Sequence, residues 1–366
     1  MSNFISAIER KLHQSQANNF GIDNYDEYRF GEFPRQSAFI KIKRVIRKIT
    51  GYGRRRIVER QKIFFKKYGD RLQRIYEHLN ADGQQLLLDV IAYRLLGYQK
   101  VKLPLNNKEY WDAIEIANSL EDSNDTYDPH CIHFILKKCD LKKIGYDIKL
   151  YFLGIGVAID FIFEQYAYKA GDKTIVAVEK GDVVLDLGAC WGDTALYFAC
   201  KTGEQGKVYS FEFIPDNIKV FNMNIALNPN LIKQIELIQH PVSNTSGDKI
   251  YFIDNGPGST IKFEPFDGQT GFATTISIDD FVRNNNITKV DFIKMDIEGA
   301  EPVALEGAIK TIKRFKPKLA VAIYHNKEDF VNIPNWIAGL DLGYKLYLGH
   351  YTIHAEETVI FAKVER

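Results

Sequence analysis

The sequence predicts an α/β fold with a parallel sheet, preceded by a mainly helical region. From about residue 175, short apolar stretches that suit buried strands alternate with stretches of helical periodicity, as in a sheet whose parallel strands are joined by helices. Over the first 150 residues, apolar residues recur instead at helical spacing. We therefore divide the chain into a helical N-terminal domain, residues 1–150, and a second domain, residues 151–366.

The composition is that of an ordinary globular protein. The 366 residues carry a formal net charge of +1, and 45% of them are hydrophobic, enough for one large core or two modest ones. This balance gives no overall bias toward nucleic acid or membrane. The opening residues, MSNFISAIERKLHQ, do not resemble a secretory signal, and no run of about 18 apolar residues is long enough to span a membrane. We expect a cytoplasmic protein.

A strongly basic segment, residues 41–74, lies inside the N-terminal domain. It holds fourteen lysines and arginines against two acids. Its apolar residues from Ile42 to Ile49 recur at helical spacing, and Gly51 and Gly53 interrupt the pattern before a second predicted helix. The segment suits a solvated helix face, or peripheral contact with an anionic inner membrane or glycan. Nucleic acid is disfavoured because aromatic residues are sparse and no binding motif occurs.

Helices are predicted through the rest of the N-terminal domain. Residues 77–100 form one helical stretch, for which Asn80 or Asp82 could serve as the N-cap. Residues 107–150 are predicted to hold further helical segments around a polar turn at residues 122–128.

The four cysteines indicate reduced thiols. None of them forms a CxxC pair, and a chain of this size does not need disulfides to fold. Histidine and cysteine alternate in the stretch PHCIH at residues 129–133, and Cys139 follows, but this spacing fits no zinc pattern. We therefore predict no metal site there.

A glycine turn follows the first predicted strand of the second domain. Residues 183–199 read VVLDLGACWGDTALYFA: a strand at 183–187, a turn framed by Gly188 and Gly192, and a helix from about residue 193. Glycines allow a ligand to approach the backbone closely. The second strand, residues 207–213, carries Glu212 near its end, where an acid can bind the two hydroxyls of a ribose.

The spacing of this turn argues against a dinucleotide. It reads DxGxxxG rather than GxGxxG, and Asp186 at the strand end would repel a pyrophosphate. The same acid suits a cationic amino-acid ligand. S-adenosylmethionine fits that description, because it carries a ribose, an ammonium and a sulfonium. A purely structural glycine turn is the alternative.

Two further strands end in polar residues. Residues 290–301 read VDFIKMDIEGAE, a strand that ends in Asp296 with Glu298 and a helix after it, and residues 318–325 read KLAVAIYH, a strand that ends at His325. Because the carboxyl ends of parallel strands meet at one edge of a sheet, we expect these side chains to share a crevice with those of the first two strands. The residues expected to converge are Asp186, Glu212, Asp296 and His325.

These motifs, in this order, resemble the FkbM-type S-adenosylmethionine-dependent methyltransferases. The matching stretches are GDVVLDLGACWGDTALYFA, KVYSFEFIPDNIKVFNMNIALN, HPVSNTSGDKIYF, TTISIDDFV and DFIKMDIEGAEPVALEGA. They lie within residues 160–366, and the N-terminal 150 residues match only loosely, around LLLDVIAYRLLG. The resemblance implies a Rossmann-like, seven-stranded class I methyltransferase sheet that ends in an antiparallel hairpin, which residues 344–364 would form.

The resemblance assigns the glycine turn to the methionine part of the cofactor. Asp186, Gly188 and Gly192 would form the loop beneath it. The backbone amides of Asp193 and Thr194, which open the following helix, would meet the cofactor carboxylate.

The resemblance assigns the other strand ends to the rest of the cofactor. Glu212 would bind the ribose, and Val242 and Ser243 would contact the adenine. Asp296 would face the methionine part and the acceptor. The upstream stretch Glu164-Gln165-Tyr166 would close over the cofactor, with Gln165 in contact with it.

Methyl transfer to oxygen requires an acceptor hydroxyl placed in line with the methyl group and, in many cases, a base. His325 or Asp296 could act as that base, although a histidine at a strand end is more often a structural residue. Glu298 could hold acceptor hydroxyls, cap the next helix or, with Asp296, bind a divalent ion. The sequence shows no ligand set that predicts a metal.

These inferences predict an O-methyltransferase that uses S-adenosylmethionine and releases S-adenosylhomocysteine. The resemblance implies a sugar hydroxyl as the acceptor, in a cell-surface polysaccharide, another glycan or a glycosylated small molecule. The motifs Asp-Pro-Pro-Tyr and Asn-Pro-Pro-Tyr, typical of methylation on base amines, are absent from the sequence. Two alternatives stay open: an RNA methyltransferase that grips phosphates with its basic helices, and a non-catalytic scaffold.

Overall fold

The computed structural model describes residues 3–14, 52–130 and 135–365. The chain divides into two compact units, one of residues 1–110 with 352–356 and one of residues 111–351 with 357–366. This division falls earlier in the chain than the boundary expected at residue 150. The first part of the basic segment, with its helix expected from Ile42, lies outside the described residues, as do Cys131 and His133.

The first unit is helical, as the sequence predicts. Its helices are α1 (Asn3–Gln14), α2 (Tyr52–His78) and α3 (Ala81–Leu96). Phe4 and Ile8 of α1 are buried, as is Ile91 of α3. Asn80 caps α3, because its side chain accepts a hydrogen bond from the N–H of Gly83 at 2.9 Å. Within the described residues, no helix combines the length and the apolarity that crossing a bilayer requires.

The second unit begins with a small antiparallel sheet that the sequence did not predict. After α4 (Lys108–Asn118) come β1 (Glu121–Tyr127), β2 (Leu136–Asp140) and β3 (Lys149–Phe152), paired in that order. The prediction of helices across residues 107–150 is therefore wrong beyond α4. In β3 only Leu150 and Phe152 are buried, an alternation that suits a strand but is too short to stand out in the sequence.

Strands and helices alternate through the rest of the second unit. In chain order they are α5 (Gly154–Val157), β4 (Tyr168–Ala170), β5 (Lys173–Val176), β6 (Val183–Leu187), α6 (Asp193–Thr202), β7 (Lys207–Phe211), α7 (Pro215–Ala226), β8 (Ile235–Ile238), β9 (Lys249–Ile253), β10 (Thr260–Lys262), β11 (Gly271–Thr274), α8 (Ile278–Asn284), β12 (Phe292–Met295), α9 (Glu301–Gly307), α10 (Ile309–Phe315), β13 (Lys318–Ala322), α11 (Asp329–Ala338), β14 (Tyr344–His350) and β15 (Thr358–Val364).

Seven of these strands form one sheet, in the order β14-β15-β13-β12-β6-β7-β8. The strands from β13 to β8 are parallel, while β15 runs antiparallel to β13 and forms a hairpin with β14. This confirms the Rossmann-like, seven-stranded sheet and its terminal hairpin. The central strand β12 is buried along its whole length, as expected for a parallel strand covered on both faces. A separate three-stranded sheet, β10-β9-β11, lies between β8 and β12 in the chain.

The strand registers bring the predicted site to one edge of the main sheet. Asp186 lies opposite Ser210 of β7 and Lys294 of β12. Glu212 directly follows β7, and Asp296 directly follows β12. Because these strands are parallel, all of these residues lie at the carboxyl edge, where open α/β sheets bind ligands.

Candidate active site

A cavity of about 390 Å³ opens at the carboxyl edge of the main sheet. Its walls come from the segments that follow β6, β7, β8 and β12, together with residues of the β9–β11 sheet. The predicted residues that line it are Gly188, Glu212, Val242, Ser243, Asp296 and Glu298. The predicted residues outside that lining are Asp186, Gly192, Asp193, Thr194, Gln165 and His325. Four strand ends thus contribute to one crevice, with part of the predicted set behind its walls.

Gly188 is required because another part of the backbone passes close to it. Its φ of +84° lies in the left-handed region, and a Cβ atom there would lie 1.8 Å from the carbonyl oxygen of Asp296. Gly192 also has a positive φ, +83°, and a Cβ there would lie 3.0 Å from the ring of Phe221. Gly188 therefore allows the ends of β6 and β12 to meet, and Gly192 leaves room for the ring of Phe221.

Asp186 is a fully buried anchor for this loop. Its carboxylate accepts hydrogen bonds from the hydroxyls of Thr194, at 2.9 and 3.1 Å, and Ser210, at 3.3 Å. It also forms an ion pair with Lys294, whose Nζ lies 3.2 Å away and donates to the carbonyl oxygen of Gly188. Burial lowers the pKa of Lys294, but the acids around it, Asp186 foremost, raise it overall. Asp186 and Thr194 thus fix the loop from behind.

Asp193 shares a buried hydrogen bond with a second carboxyl group, that of Asp160. Burial raises the pKa of both groups, that of Asp193 to about 6, and each is further affected by its neighbours. Two carboxylates cannot both ionise at such close range, so they hold a proton between them near neutral pH. Asp160 lies in a π-helical turn, residues 158–162, a feature frequent at functional sites.

Glu212 is buried at the wall of the cavity. One carboxylate oxygen accepts hydrogen bonds from the N–H groups of Phe213 and Ile214, at 2.7 and 2.9 Å, and the other accepts one from the side chain of Asn217 at 3.2 Å. Burial raises the pKa of Glu212 to about 6 against these bonds. At neutral pH it is therefore ionised, and its second oxygen retains lone pairs that can accept ligand hydroxyls.

Asp296 is held by three neighbouring groups at the floor of the cavity. Tyr166 donates its hydroxyl hydrogen to Oδ2 at 2.7 Å, and Tyr324 donates to both oxygens at 3.2 Å. The Nε2 atom of His325 lies 3.3 Å from Oδ1. Burial and the charge of Asp296 raise the pKa of both tyrosines well above the usual range, so both remain donors at neutral pH.

His325 lies behind the cavity wall among three acids. Its Nδ1 atom is 3.0 Å from Glu301, and its Nε2 atom is 3.6 Å from Glu298. Burial lowers the pKa of His325, but the hydrogen bond with Glu301 and the charges of Asp296 and Glu298 raise it to about 9. The imidazole therefore carries a proton at both nitrogens at neutral pH. In the same cluster, the pKa of Glu301 is lowered, because the bonds to His325 and to the N–H of Ile297 outweigh its burial.

Two other predicted cofactor positions are fixed by the backbone. Val242 forms an isolated bridge with Ile276, and the N–H of Ser243 donates to the carbonyl of Ile276 at 3.1 Å. Both residues line the cavity. Gln165 is buried and donates to Glu357 at 2.6 Å, so its amide serves that carboxylate and not the cavity surface.

Four residues of the site were not found from the sequence, and they are Asp160, Asn217, Glu301 and Tyr324. One signal was available, because Tyr324 directly precedes His325. The sequence around Asp160 is apolar, and nothing in it indicates that Asp160 packs against the start of α6.

The main sheet has the fold of a class I methyltransferase. Residues 178–346 match the family model of the methyltransferase FkbM domain. This part of the chain is therefore an FkbM-type methyltransferase domain, which confirms the resemblance seen in the sequence. No curated protein matches the chain.

The chain is also similar to solved structures at low sequence identity. The FkbM methyltransferase of Methylobacillus flagellatus is 19% identical, with a TM-score of 0.51, over 82% of this chain and 60% of that one. This chain thus spans less than two thirds of the length of that relative. Fibrillarin of Aeropyrum pernix, with bound S-adenosylmethionine, is 17% identical with a TM-score of 0.33, over 51% of this chain and 68% of that one. A putative rRNA methylase of Clostridium thermocellum is 14% identical with a TM-score of 0.35, over 52% and 90%.

Proposed function

We propose that this chain is an S-adenosylmethionine-dependent O-methyltransferase that acts on a sugar hydroxyl of a cell-surface polysaccharide or another glycan. One observation carries the proposal. A single cavity has a buried acid suited to a ribose, Glu212, after one strand and two further acids, Asp296 and Glu298, after another. The FkbM-type domain supports methyl transfer, and the resemblance to that family supports an oxygen acceptor on a sugar.

The residues present fit the cofactor. Glu212 has the acceptor capacity that two ribose hydroxyls need, and the wall near Val242 is largely apolar, which suits a purine. Beneath the loop, Asp193 and Asp160 share one proton and so keep a net negative charge, which suits an ammonium and a sulfonium at the methionine end. When bound, S-adenosylmethionine would supply a methyl group on a positively charged sulfur.

The protein must then orient the acceptor and exclude water. Asp296 at the cavity floor is fixed by two tyrosines and a protonated histidine, so a hydroxyl bound beside it would meet a preorganised environment. Glu298 lines the same cavity and presents a carboxylate to it. This arrangement favours a small hydroxylated acceptor over a base in a duplex, which would have to be flipped into the cavity.

The experiment that tests the cofactor is calorimetric titration of S-adenosylmethionine into the wild type and into the Glu212→Ala variant. We expect micromolar binding by the wild type and at least a tenfold loss in the variant, because two hydroxyls lose a charged acceptor. Glu204→Ala, which removes an exposed acid near the end of α6, is the matched control and should bind as the wild type does. Binding that survives Glu212→Ala would contradict the assignment of the ribose site.

The acceptor is tested by methyl transfer from labelled S-adenosylmethionine. The wild type is incubated with a panel of methyl glycopyranosides, a polysaccharide extract and total RNA. Label in a glycoside or polysaccharide supports the proposal. Label in RNA alone would establish the RNA methyltransferase alternative, and cofactor binding with no transfer to any of the three would favour a scaffold.

A further inference from the structure

We infer that Glu298 takes the proton of the acceptor hydroxyl and that the His325–Glu301 pair positions it. This inference rests on the proposed function and deepens it. From the sequence, the candidates for the base are His325 and Asp296, and the roles expected for Glu298 are acceptor binding, helix capping or metal binding. The structure separates these three residues by what already surrounds each of them.

Asp296 and His325 are committed to other partners. The carboxylate of Asp296 already accepts hydrogen bonds from Tyr166 and Tyr324 and faces His325 at 3.3 Å, so its oxygens are largely occupied by groups of the protein. His325 lies between Asp296 and Glu301 with acids at both nitrogens. A histidine in that position holds its own proton and accepts no other.

Glu298 differs from both in its exposure. Its side chain lines the cavity and keeps 60% of its surface open, whereas those of Asp296 and His325 keep 16% and 10%. The capping role is also not seen, because α9 carries no side-chain cap at its N-terminus and Glu301, not Glu298, accepts the N–H of Ile297. Among the carboxylates of this cluster, Glu298 is thus the one most exposed to an acceptor in the cavity.

The backbone at Glu298 is held in an uncommon conformation. Its φ is +56°, and Gly299 after it has a φ of +95°. A glutamate in the left-handed region costs free energy, and such residues cluster at functional sites. Gly299 is needed here, since a Cβ atom would lie 2.6 Å from the side-chain nitrogen of Asn326. This turn places Glu298 in the lining of the cavity, ahead of α9.

The charges that face Glu298 set its basicity. His325, Asp296, Glu301 and Lys294 all act on its carboxyl group. Partial desolvation in the cavity raises its pKa, and the charge of His325 opposes that rise. His325 is in turn oriented by Glu301, which is fully buried. Glu301 and His325 are therefore positioning residues, and Glu298 is the catalytic one.

The proton and the electrons balance in one displacement. The acceptor O–H gives its proton to a carboxylate oxygen of Glu298 while the acceptor oxygen forms a bond to the methyl carbon. The bond between that carbon and sulfur breaks, and its electron pair stays on sulfur, which becomes the neutral thioether of S-adenosylhomocysteine. The Glu298 carboxylic acid then releases its proton to water through the open side of the cavity.

The test compares variants on whichever methyl glycopyranoside of the acceptor panel the wild type methylates best. Glu298→Gln should lower kcat about 100-fold or more with S-adenosylhomocysteine affinity unchanged, because it removes a base and not a cofactor contact. Sodium formate should restore part of the activity of Glu298→Ala, since a free carboxylate can enter the vacated space. Glu301→Gln should lower kcat less and move the acid limb of the pH profile. The matched control is Glu306→Gln, which changes an exposed carboxylate on α9, the helix that begins at Glu301.

The outcomes separate this inference from the proposed function. A kcat of Glu298→Gln within threefold of the wild type, or a loss that appears only in KM, would overturn the role of Glu298 while leaving the methyltransferase assignment intact. Absence of formate rescue together with lost cofactor binding would show a structural role and would also overturn it. A wild type that binds the cofactor and methylates no sugar overturns both.

Discussion

At position 188 a single methyl group decides whether the cavity can form. Gly188→Ala would place a Cβ atom 1.8 Å from the carbonyl oxygen of Asp296 at a φ of +84°. We expect a loss of about 3 kcal/mol or more in stability and no measurable binding of S-adenosylmethionine, because the ends of β6 and β12 must move apart. Gly203→Ala is the matched control: its φ is +65°, but nothing lies within 4 Å, so only about 1 kcal/mol of backbone strain is expected. Thermal unfolding midpoints and calorimetry measure both effects. Equal losses in the two variants would contradict the role of close approach.

The charge of Glu212 should make cofactor binding depend on pH. Its pKa of about 6 lies above the usual value of 4.5, and the ligand hydroxyls prefer the ionised form. Binding should therefore be constant above pH 7 and should weaken below pH 6, with a proton released on binding in between. Glu212→Gln should bind more weakly at neutral pH and lose most of this pH dependence. Calorimetry from pH 5 to 8 measures both slopes, and the remaining slope belongs to Asp193, whose pKa is also about 6. An unchanged slope in Glu212→Gln would refute the assignment.

At the scale of elements, two asparagines join a helix to a strand edge. Asn224 of α7 and Asn228, which lies just beyond the end of that helix, each bond both backbone groups of one residue of β3, Tyr151 and Lys149 respectively. The open edge of β3 is thus completed by side-chain amides, which act as a neighbouring strand would.

Asn224→Ala should therefore destabilise the second unit. The change removes hydrogen bonds to both backbone groups of Tyr151 and one to the carbonyl of Trp191, and it leaves buried backbone groups unpaired. We expect a loss of about 2–4 kcal/mol in urea unfolding. Asn222→Ala, on the exposed side of the same helix, should be neutral or slightly stabilising. A loss of less than about 1 kcal/mol for Asn224→Ala would show that the hydrogen bonds of Asn224 contribute little to stability.

The sequence predicts an element well where its signal is local and repeated. The strands and helices from β6 onward are long apolar runs separated by turns, and the predictions for β6, α6, β7 and the terminal hairpin are confirmed. Of the strands β1–β3, β1 is polar and β3 is short, and β3 is bonded by residues distant in sequence, such as Asn224 with Tyr151. A local pattern cannot reveal such partners, and the pattern of residues 107–150 therefore predicts helices instead.

At the scale of the whole molecule, strand ends were predictable and side-chain directions were not. Parallel topology alone brings Glu212 and Asp296 to one edge, which the sequence implied. Whether an acid faces the cavity or anchors a loop depends on its partner across the sheet. Asp186 faces Lys294 in the register of β6 with β12, and that pairing required the strand order. The roles of His325 and Glu298 likewise depend on distances that only the folded chain sets.

The basic helix α2 has no part in the proposed site. Over residues 58–78 it carries six lysines and arginines against three acids. Its later residues, such as Leu72, are buried in the first unit, while Ile63 and Val58 are 64% and 38% exposed among basic side chains. Exposed aliphatic residues among lysines suit the surface of an anionic bilayer better than they suit nucleic acid, which favours aromatic stacking.

We propose that α2 holds the protein at an anionic membrane surface, and charge reversal tests this. Each lysine or arginine near such a surface contributes about 1 kcal/mol, so the triple variant Arg60→Glu/Lys62→Glu/Lys66→Glu should lower partition onto phosphatidylglycerol vesicles about 100-fold. The three positions are exposed, so folding should not change. The control variant Lys142→Glu/Lys143→Glu/Lys180→Glu makes the same change of charge at exposed sites of the second unit.

Because the attraction is screened by salt, wild-type binding should also fall as ionic strength rises, and phosphatidylcholine vesicles should bind little. Equal losses in the two triple variants would mean that net charge, and not this helix, governs binding, and wild-type binding to both lipids alike would exclude an electrostatic surface.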